Sequence, residues 1–479
     1  MKELLSVISA YERVAAHAER TALATVIEVV GSAYRRPGAR MLVTESGNTV
    51  GSVSGGCLER DVIDHCIQAI ASRQTTLLKY DTSHDDDDVL GSGNGCAGSI
   101  LISVEPLEPS WETNPLLCIK EHLLTDERNG SNEFVLVSVT HATASSVHAI
   151  SLRGIFTAHS DTVRINRHGN LQTVHDAIPA VHDASAQKHV EKLLQNNDEC
   201  EKSEAALDVL LEIFVNKIVA PGTLLASFAN GLAQALEQDI DIVSSSNKAQ
   251  LRTYMLGEER IDFFIEKIAA PPRLIIFGAG HDAPALAELA HNVGMRVTVI
   301  DHRKAFADAA RFPDAESVIA YRPEDEASWP QVNSDSFCVV MSHNLLVDKV
   351  VLSKLLQHEL PYLGVLGPKL RTEKILQQLR QEGHAIAADK QEQLHAPIGL
   401  DIGAETPEQI ALSIVAEIQA VSARREAGFL RNRTKPIHDP STPATTTTVS
   451  AVDNERSVSS AQPRDQRVTR DIQCSTTSH

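Results

Sequence analysis

The sequence predicts an α/β protein with four parts. They are a small N-terminal α+β domain (residues 1–110), a middle segment whose fold the pattern does not define (111–262), a C-terminal domain built on a parallel sheet (263–428) and a disordered tail (429–479). Strands and helices alternate regularly after Arg273, which is typical of a parallel sheet covered on both faces. The tail is rich in Thr, Ser, Pro, Arg and Asp, so it carries too little apolar surface to fold.

The first domain combines helices with short strands. Apolar residues recur at helical spacing over residues 3–18, and residues 23–30 form an apolar run that predicts a strand. A Ser-Gly-Asn turn at residues 46–48 indicates a hairpin. Residues 58–73 predict a second helix, and clustered prolines place the end of the domain near residue 110.

The middle segment carries no chemical motif. A strand-like run covers residues 134–139, and helical patterns cover residues 116–123 and 205–217. We interpret it as a segment that extends or bridges the two domains.

Five strands separated by helical stretches are predicted in the C-terminal domain. They cover residues 273–277, 296–300, 316–320, 337–341 and 362–366. The last helix has a well-marked start, because Thr406 is a good N-cap, Pro407 suits the first helical position and Gln409 completes a capping box.

Composition excludes several classes of protein. The chain has 479 residues and a formal net charge of −19, which argues against binding to nucleic acid or an anionic membrane. The N-terminus shows no basic region followed by an apolar run, and no stretch reaches the ~20 apolar residues of a membrane span. Seven scattered cysteines form no disulfide framework. We therefore expect a cytoplasmic protein with reduced thiols.

A glycine-rich turn follows the first strand of the C-terminal domain. Residues 278–283 read Gly-Ala-Gly-His-Asp-Ala, the pattern in which Gly278 makes the tight turn and Gly280 lets a phosphate approach the backbone. Asp301 ends the next strand, where a carboxylate can accept from ribose hydroxyls. These features predict a Rossmann-like domain for a nucleotide-like, phosphate-bearing ligand. The alternative is a close-packed turn with no ligand.

His343 is a second candidate in the same domain. It follows the fourth strand, and in such sheets ligands bind at the switch point between the first and fourth strands. The alternative is a polar loop residue that hydrogen-bonds the backbone.

Glycine-rich loops in the first domain predict another site. Three arginines, Arg35, Arg36 and Arg40, fall within six residues of an acidic protein, and guanidinium groups and exposed amides suit phosphate oxygens. The alternative is a set of tight turns with solvated arginines. The candidate ligand-binding residues of these loops are Ser32, Arg35, Arg36, Gly38, Ser54, Gly55, Gly56, Cys57 and Cys96.

Cys57 is the first choice for a reactive thiol. It precedes a predicted helix, whose N-terminus and a nearby arginine would favour the thiolate. Cys96 lies in a loop too rich in glycine to bury it. The alternative for either residue is a small buried hydrophobe. We assign no metal site, because the acidic run at residues 85–88 lacks the spacers of a metal loop.

These stretches resemble the xanthine dehydrogenase accessory (XdhC/CoxI) family. The resemblance covers roughly residues 20–110 and 270–425, in the family's order. The runs that carry it are residues 31–39, 51–59, the loop at Cys96, 278–283, 301–303, 341–344, 362–367 and 395–403.

The resemblance implies a maturation factor for a molybdenum hydroxylase such as xanthine or carbon monoxide dehydrogenase. Such a factor binds the molybdenum cofactor (molybdopterin), guards it while a cysteine desulfurase supplies sulfur, and inserts it into the apoenzyme. It would be a cofactor-binding chaperone rather than a turnover catalyst, with Cys57 as its cofactor-site cysteine. A homodimer is a candidate assembly.

There are three alternative functions. An NAD(P)-dependent oxidoreductase would use Gly278, Gly280 and Asp301, and NAD(P) or another nucleotide is a second candidate ligand of that domain. It shows no hydride site, however, and leaves the first domain unexplained. A cytidylyltransferase would need a nucleotide loop that the sequence lacks. A pure scaffold would not need glycine loops and a thiol.

Overall fold

The computed structural model describes residues 1–31, 33–56, 58–81, 98–107, 114–125, 133–142, 153–156, 164–167, 170–172, 228–322, 329–384, 393–434 and 445–449. These residues form three sheets and their helices. The fold class is the α/β class that the sequence predicts.

The N-terminal part is an antiparallel sheet with helices on both faces. Its elements are α1 (Lys2–Ala15), β1 (Thr21–Gly31), β2 (Arg40–Thr44), β3 (Thr49–Gly51), α2 (Glu59–Ser72), β4 (Thr76–Asp81) and β5 (Gly98–Leu107). The strand order is β3-β2-β1-β5-β4. Because side chains alternate along a strand, Ala24 and Val26 pack on Val62 of α2, whereas Leu23 packs on Val7 of α1.

The middle segment contributes most of a second sheet. Its elements are α3 (Pro115–Thr125), β6 (Glu133–Ala142), β7 (Arg153–Phe156), β8 (Arg164–Arg167), β9 (Asn170–Gln172), α4 (Ala229–Ser246), β10 (Gln250–Leu256) and β11 (Glu259–Ala269), together with β18 (Thr445–Val449) from the tail. The strand order is β18-β10-β11-β6-β7-β8-β9. The helix predicted over residues 205–217 lies outside the described residues.

This second sheet packs directly on the first. Leu136 and Ile268 share one core with Leu23 of β1 and with α1 and α3, and Ile27 packs with Leu251 and Phe264. Since β11 runs through residue 262, the sheet ends at Ala269, later than the boundary expected from sequence.

Two described parts of the tail differ from the predicted disorder, and the first is a short 3-10 helix at Leu430–Asn432. Residues 445–449, expected to be disordered, form a strand that pairs in parallel with β10. Composition does not reveal this pairing, because a β-branched threonine run can dock through its main chain with little apolar surface. Residues 450–479 lie outside the described residues.

The C-terminal domain is a parallel sheet with helices on both faces. Its elements are β12 (Arg273–Phe277), α5 (Ala283–Asn292), β13 (Arg296–Asp301), β14 (Ser317–Ala320), β15 (Ser336–Val340), α6 (Leu345–Leu355), β16 (Tyr362–Val365), α7 (Lys369–Gln381), β17 (Leu394–His395) and α8 (Pro407–Ser422). The strand order is β14-β13-β12-β15-β16-β17.

The two faces of this sheet carry separate cores. Ile276 packs with α5 and α8, whereas Ile275 packs with α6 and α7. The five predicted strands and the capping box of Thr406 and Gln409 are confirmed. The neighbours β12 and β15 are the first and fourth strands of the domain, so their carboxyl ends form the expected switch point.

Candidate functional site

Gly278 occupies a position where a side chain does not fit. Its φ is +128°, and its amide donates to the carbonyl of Ile300 at 2.7 Å. A Cβ atom would lie 2.5 Å from the carbonyl oxygen of Met341 and 2.6 Å from the amide of Ser342. Glycine therefore lets the turn after β12 pass against the end of β15.

Asp301 holds this turn from behind. Its side chain is fully buried, and it accepts from the amide of Ala279 at 2.7 Å. Arg303 donates to the same carboxylate from its amide at 2.7 Å, Nε at 2.9 Å and a terminal nitrogen at 2.8 Å. Burial acts to raise the pKa of Asp301, but the hydrogen bonds from Arg303 and Ala279 outweigh it and hold the pKa below its usual value.

The position of Asp301 does not fit the role predicted for it, which was to accept hydrogen bonds from ribose hydroxyls. A hidden carboxylate that already accepts four hydrogen bonds from its own chain does not reach a ribose diol. The physical reason is local, because Arg303 folds back two residues along the chain and occupies the oxygens that the strand end would otherwise expose. Asp301 positions the glycine-rich turn instead.

Arg311 is a second support that the sequence did not single out. It donates to the carbonyls of Ala279 at 2.7 Å, Gly280 at 3.0 Å and Phe306 at 2.9 Å. The Arg303 guanidinium stacks 3.8 Å from the centroid of the Phe306 ring. Because Arg311 binds the carbonyls of Ala279 and Gly280, these two carbonyls point back into the domain. The sequence contains no signal for this role of Arg311.

His343 lies beside the glycine-rich turn at the switch point, where ligands bind in the crevice of such sheets. It is exposed, has a φ of +58° and places Nε2 3.5 Å from a carboxylate oxygen of Asp282. A Cβ at Gly280 would lie 3.3 Å from its ring. Gly278, Gly280 and His343 are thus brought together at the switch point, as expected.

A buried network fixes the loop that carries His343. The Ser342 hydroxyl donates to fully buried Asp348, and Arg371 of α7 lies 2.6 Å from the other oxygen of the same carboxylate. A non-glycine residue at positive φ stores strain, so the network explains how His343 is kept in this conformation.

Two of the three arginines of the arginine loop form ion pairs within the protein, and the third is exposed. Arg35 forms an ion pair with Glu3 of α1. Arg40 forms an ion pair with Glu266 of β11, and both side chains are buried. Arg36 is exposed. The cluster is therefore partly structural, and of the two arginines predicted to bind the ligand it is Arg36 that faces outward.

Two other residues predicted to bind the ligand, Ser54 and Gly38, form hydrogen bonds within the first domain. Ser54 is buried and donates to Glu59, and its hydroxyl accepts from the amides of Gly56 at 3.1 Å and Leu58 at 3.3 Å. Gly38, at φ +92°, donates to the carbonyl of Val26 at 2.8 Å. The Ser54 hydroxyl thus acts inside the loop, unlike the ligand contact predicted for it.

Tyr34 joins the arginine loop to the glycine loop. A Cβ at Gly55 would lie 3.3 Å from its Cγ and 3.6 Å from both Cδ atoms, so the ring lies against the backbone there. Tyr34 is 70% exposed, and Gly55 and Gly56 are exposed beside it. The sequence offered no signal for this contact beyond an aromatic residue between glycine and arginine.

Ser32, Cys57 and Cys96 lie outside the described residues, as does the acidic run at 85–88. Gly56 and Leu58 flank Cys57 in the chain, and α2 begins at Glu59.

The described cysteines, Cys66, Cys118 and Cys338, are buried. Burial raises the pKa of the Cys66 thiol to about 12, and it also raises the pKa of Cys338. Among the described residues, no group of His, Cys, Asp and Glu is placed to hold a metal ion. No described helix is both long and apolar enough to cross a membrane.

The two candidate sites are separate. Lys2 Nζ donates to the carbonyl of Asn292 at 2.9 Å, beside Glu3, which pairs with Arg35. Asn292 ends α5, whose other end carries the glycine-rich turn. A helix of this length spans about 15 Å. The arginine loop and the crevice therefore lie beyond opposite ends of α5.

Two family models match the chain. The "XdhC and CoxI family" model matches residues 14–81, and the "XdhC Rossmann domain" model matches residues 274–418.

Relatives agree with these models. The chain is 29% identical over 401 residues to a probable xanthine dehydrogenase subunit of Bacillus subtilis, covering 84% of this chain and 92% of the relative. It is 30% identical over 101 residues to the molybdenum cofactor insertion chaperone PaoD of Escherichia coli, covering 21% of this chain and 30% of the relative. The solved structure of a xanthine dehydrogenase from Bacillus halodurans superposes with a TM-score of 0.58 and 26% identity, covering 89% of this chain and 98% of that one. Residues 14–81 of this chain are thus identified as a domain of the XdhC and CoxI family, and residues 274–418 as an XdhC Rossmann domain.

Proposed function

We propose that this chain is a maturation factor that binds the molybdenum cofactor, supports its sulfuration by a cysteine desulfurase and delivers it to a xanthine dehydrogenase-type hydroxylase. One relative is named as a molybdenum cofactor insertion chaperone, and another is named as part of a xanthine dehydrogenase, which supports this role. The observation that carries the proposal is the contact between Tyr34 and Gly55, because it joins the arginine loop to the glycine loop that leads to Cys57.

The residues around this contact suit the parts of the cargo. The exposed Tyr34 ring offers a flat apolar face to a pterin, as aromatic side chains do for nucleobases. Arg36 is exposed on the same loop and suits a terminal phosphate. The thiol of Cys57 would supply a sulfur ligand next to the start of α2. The backbone amide and the hydroxyl of Ser54 donate to Glu59 and so fix the conformation of the glycine loop.

The oxidoreductase alternative receives less support from the geometry. A dinucleotide site of this kind uses a strand-end carboxylate for the ribose, whereas Asp301 is buried and bonded to Arg303 and Ala279. We propose the crevice beside His343 as a secondary site for a phosphate-bearing group, and assign the cargo to the first domain.

The proposal is tested by the cofactor content of the purified protein. The chain is co-expressed with cofactor biosynthesis and purified without air, and molybdenum and pterin are measured per chain. We expect close to one of each in the wild type and a loss of at least ten-fold in Cys57→Ala.

Cys66→Ala is the matched control, because it removes a buried thiol of α2 that no ligand reaches. It should retain the cofactor. The proposal fails if wild type and both variants carry neither molybdenum nor pterin, and co-purifying NAD(H) would then favour the oxidoreductase.

A further inference from the structure

The outer edge of β10 is built differently from the rest of the middle sheet. The described pairs of that sheet are antiparallel except for β10 with β18, which is parallel. The register places Thr445 beside Arg252 and Val449 beside Leu256. No tight turn dictates this pairing, because residues 423–444 separate β18 from α8.

β10 and α4 contact alternate side chains of β18. Arg252 donates to the Thr445 hydroxyl at 2.5 Å, and Val449 is 5% exposed at the other end of the strand. Side chains two apart share a face, so Thr445, Thr447 and Val449 lie on one side, and α4 contacts the strand. The site therefore takes an extended, uncharged segment with a hydroxyl at its first position and an apolar residue at its fifth.

The receiving edge has contacts that do not depend on its occupant. Arg252 forms an ion pair with Asp239 of α4 at 2.9 Å, and the Tyr254 hydroxyl donates to the same carboxylate at 2.6 Å. On its other side β10 is paired with β11 along its whole length. In contrast, Val449 is the one buried side chain of β18. The β10 edge is thus fixed by its contacts with α4 and β11. β18 adds one buried side chain, Val449, and the hydrogen bond of Thr445 with Arg252.

We propose that this edge of β10 is a strand-addition site, and that the C-terminal segment of a second copy of the chain occupies it in exchange for the chain's own. Unpaired main-chain groups at a sheet edge accept any strand of matching pattern. A second copy carries the identical segment, so the contacts of Thr445 and Val449 are all available to it between molecules.

The test uses two full-length single variants, because Met255 and Thr448 are partners across the strand pair. Met255→Cys and Thr448→Cys chains are mixed and oxidised, and mass spectrometry searches for a peptide linked between positions 255 and 448. Each chain carries only one of the two cysteines, so this link forms only between molecules. Neighbouring strands lie within disulfide reach.

We expect the 255–448 link to form and to rise with protein concentration. Adding Val449→Asp to the Thr448→Cys chain should lower its yield at least ten-fold, because that change buries a charge. The proposal is overturned if the mixture shows no such link while a single chain carrying both cysteines forms it internally. Absence of the link from that double variant as well would also overturn it, since the edge would then not be paired with this segment.

Discussion

Single residues decide the shape of the Rossmann crevice. Gly278 allows the turn after β12 to touch the end of β15, and His343 is held at positive φ over Gly280. Asp301 and Arg311 bind the turn from behind. The glycine motif thus serves packing first, because Gly278, Ala279 and Gly280 are buried and His281 is the exposed residue of the motif.

Gly278→Ala should destabilise the protein more than an alanine at another glycine of positive φ. The new Cβ would overlap the Met341 carbonyl, whereas a Cβ at Gly383, at φ +89°, would have nothing within 4 Å. We expect a loss of about 3 kcal/mol for Gly278→Ala and about 1 kcal/mol for Gly383→Ala. Urea unfolding measures both, and equal losses would contradict the packing role.

Asp301 should make stability depend on acid pH. Its folded pKa is lowered, so its stabilising contribution is complete above the unfolded pKa of about 3.9 and is lost as pH falls through the folded value. Unfolding measured from about pH 5 to pH 2 should show a smaller loss of stability in Asp301→Asn than in the wild type. Asp314→Asn, which changes an exposed carboxylate, should keep the wild-type dependence. An unchanged slope in Asp301→Asn would contradict this account.

Tyr34 should act through its ring if the proposed carrier function holds. Tyr34→Ala should lower the pterin retained per chain by about ten-fold, in the range of stacking energies, while Tyr34→Phe should retain it. Phe429→Ala removes an aromatic residue of similar exposure elsewhere and serves as control. If Tyr34→Ala keeps full cofactor while Cys57→Ala loses it, the stacking role is wrong and the carrier role stands.

At the scale of elements, the loops of the first domain depend on the middle sheet. The buried pair of Arg40 and Glu266 joins β2 to β11, and Gly38 leaves room for the Glu266 carboxylate, which would lie 3.2 Å from a Cβ there. The middle segment is therefore part of the support of the arginine loop.

Replacing only one residue of the Arg40–Glu266 pair should lower the free energy of unfolding more than replacing both residues. Arg40→Met alone leaves a buried carboxylate and should destabilise by about 3–5 kcal/mol, and adding Glu266→Leu should restore part of the loss. Arg20→Met, which breaks an exposed pair with Glu45, should cost less than about 1 kcal/mol. Urea unfolding measures the free energy of each variant. If the losses from Arg40→Met and Glu266→Leu simply add in the double variant, the two side chains are not coupled and the account of the pair is wrong.

The sequence predicted those elements that local chemistry determines. The β12 turn and the capping box of Thr406 follow from residues a few positions apart, and both are found as predicted. Contacts between distant parts were not predictable in the same way. The pairing of Arg40 with Glu266, the Tyr34 ring against Gly55 and the docking of β18 on β10 each depend on how separate elements meet.

At the scale of the whole molecule, the described chain carries two potential binding regions that α5 separates. The first sheet presents the arginine and glycine loops, and the Rossmann sheet presents the crevice at His343. The first turn of α1 contacts both halves, through Lys2 with Asn292 and Glu3 with Arg35. This arrangement suits a carrier that holds its cargo on one domain and keeps a second surface for another ligand or partner.

The most direct test of the carrier role is transfer of the cofactor. Protein loaded with cofactor is incubated without air with a molybdenum-free hydroxylase of the xanthine dehydrogenase type, and molybdenum is measured on both proteins after separation. The account predicts that molybdenum moves to the hydroxylase in a one-to-one ratio with the amount lost, and that protein prepared from Cys57→Ala delivers none. Molybdenum that stays on the loaded wild-type chain, or a hydroxylase that fills equally well from Cys57→Ala preparations, would contradict it.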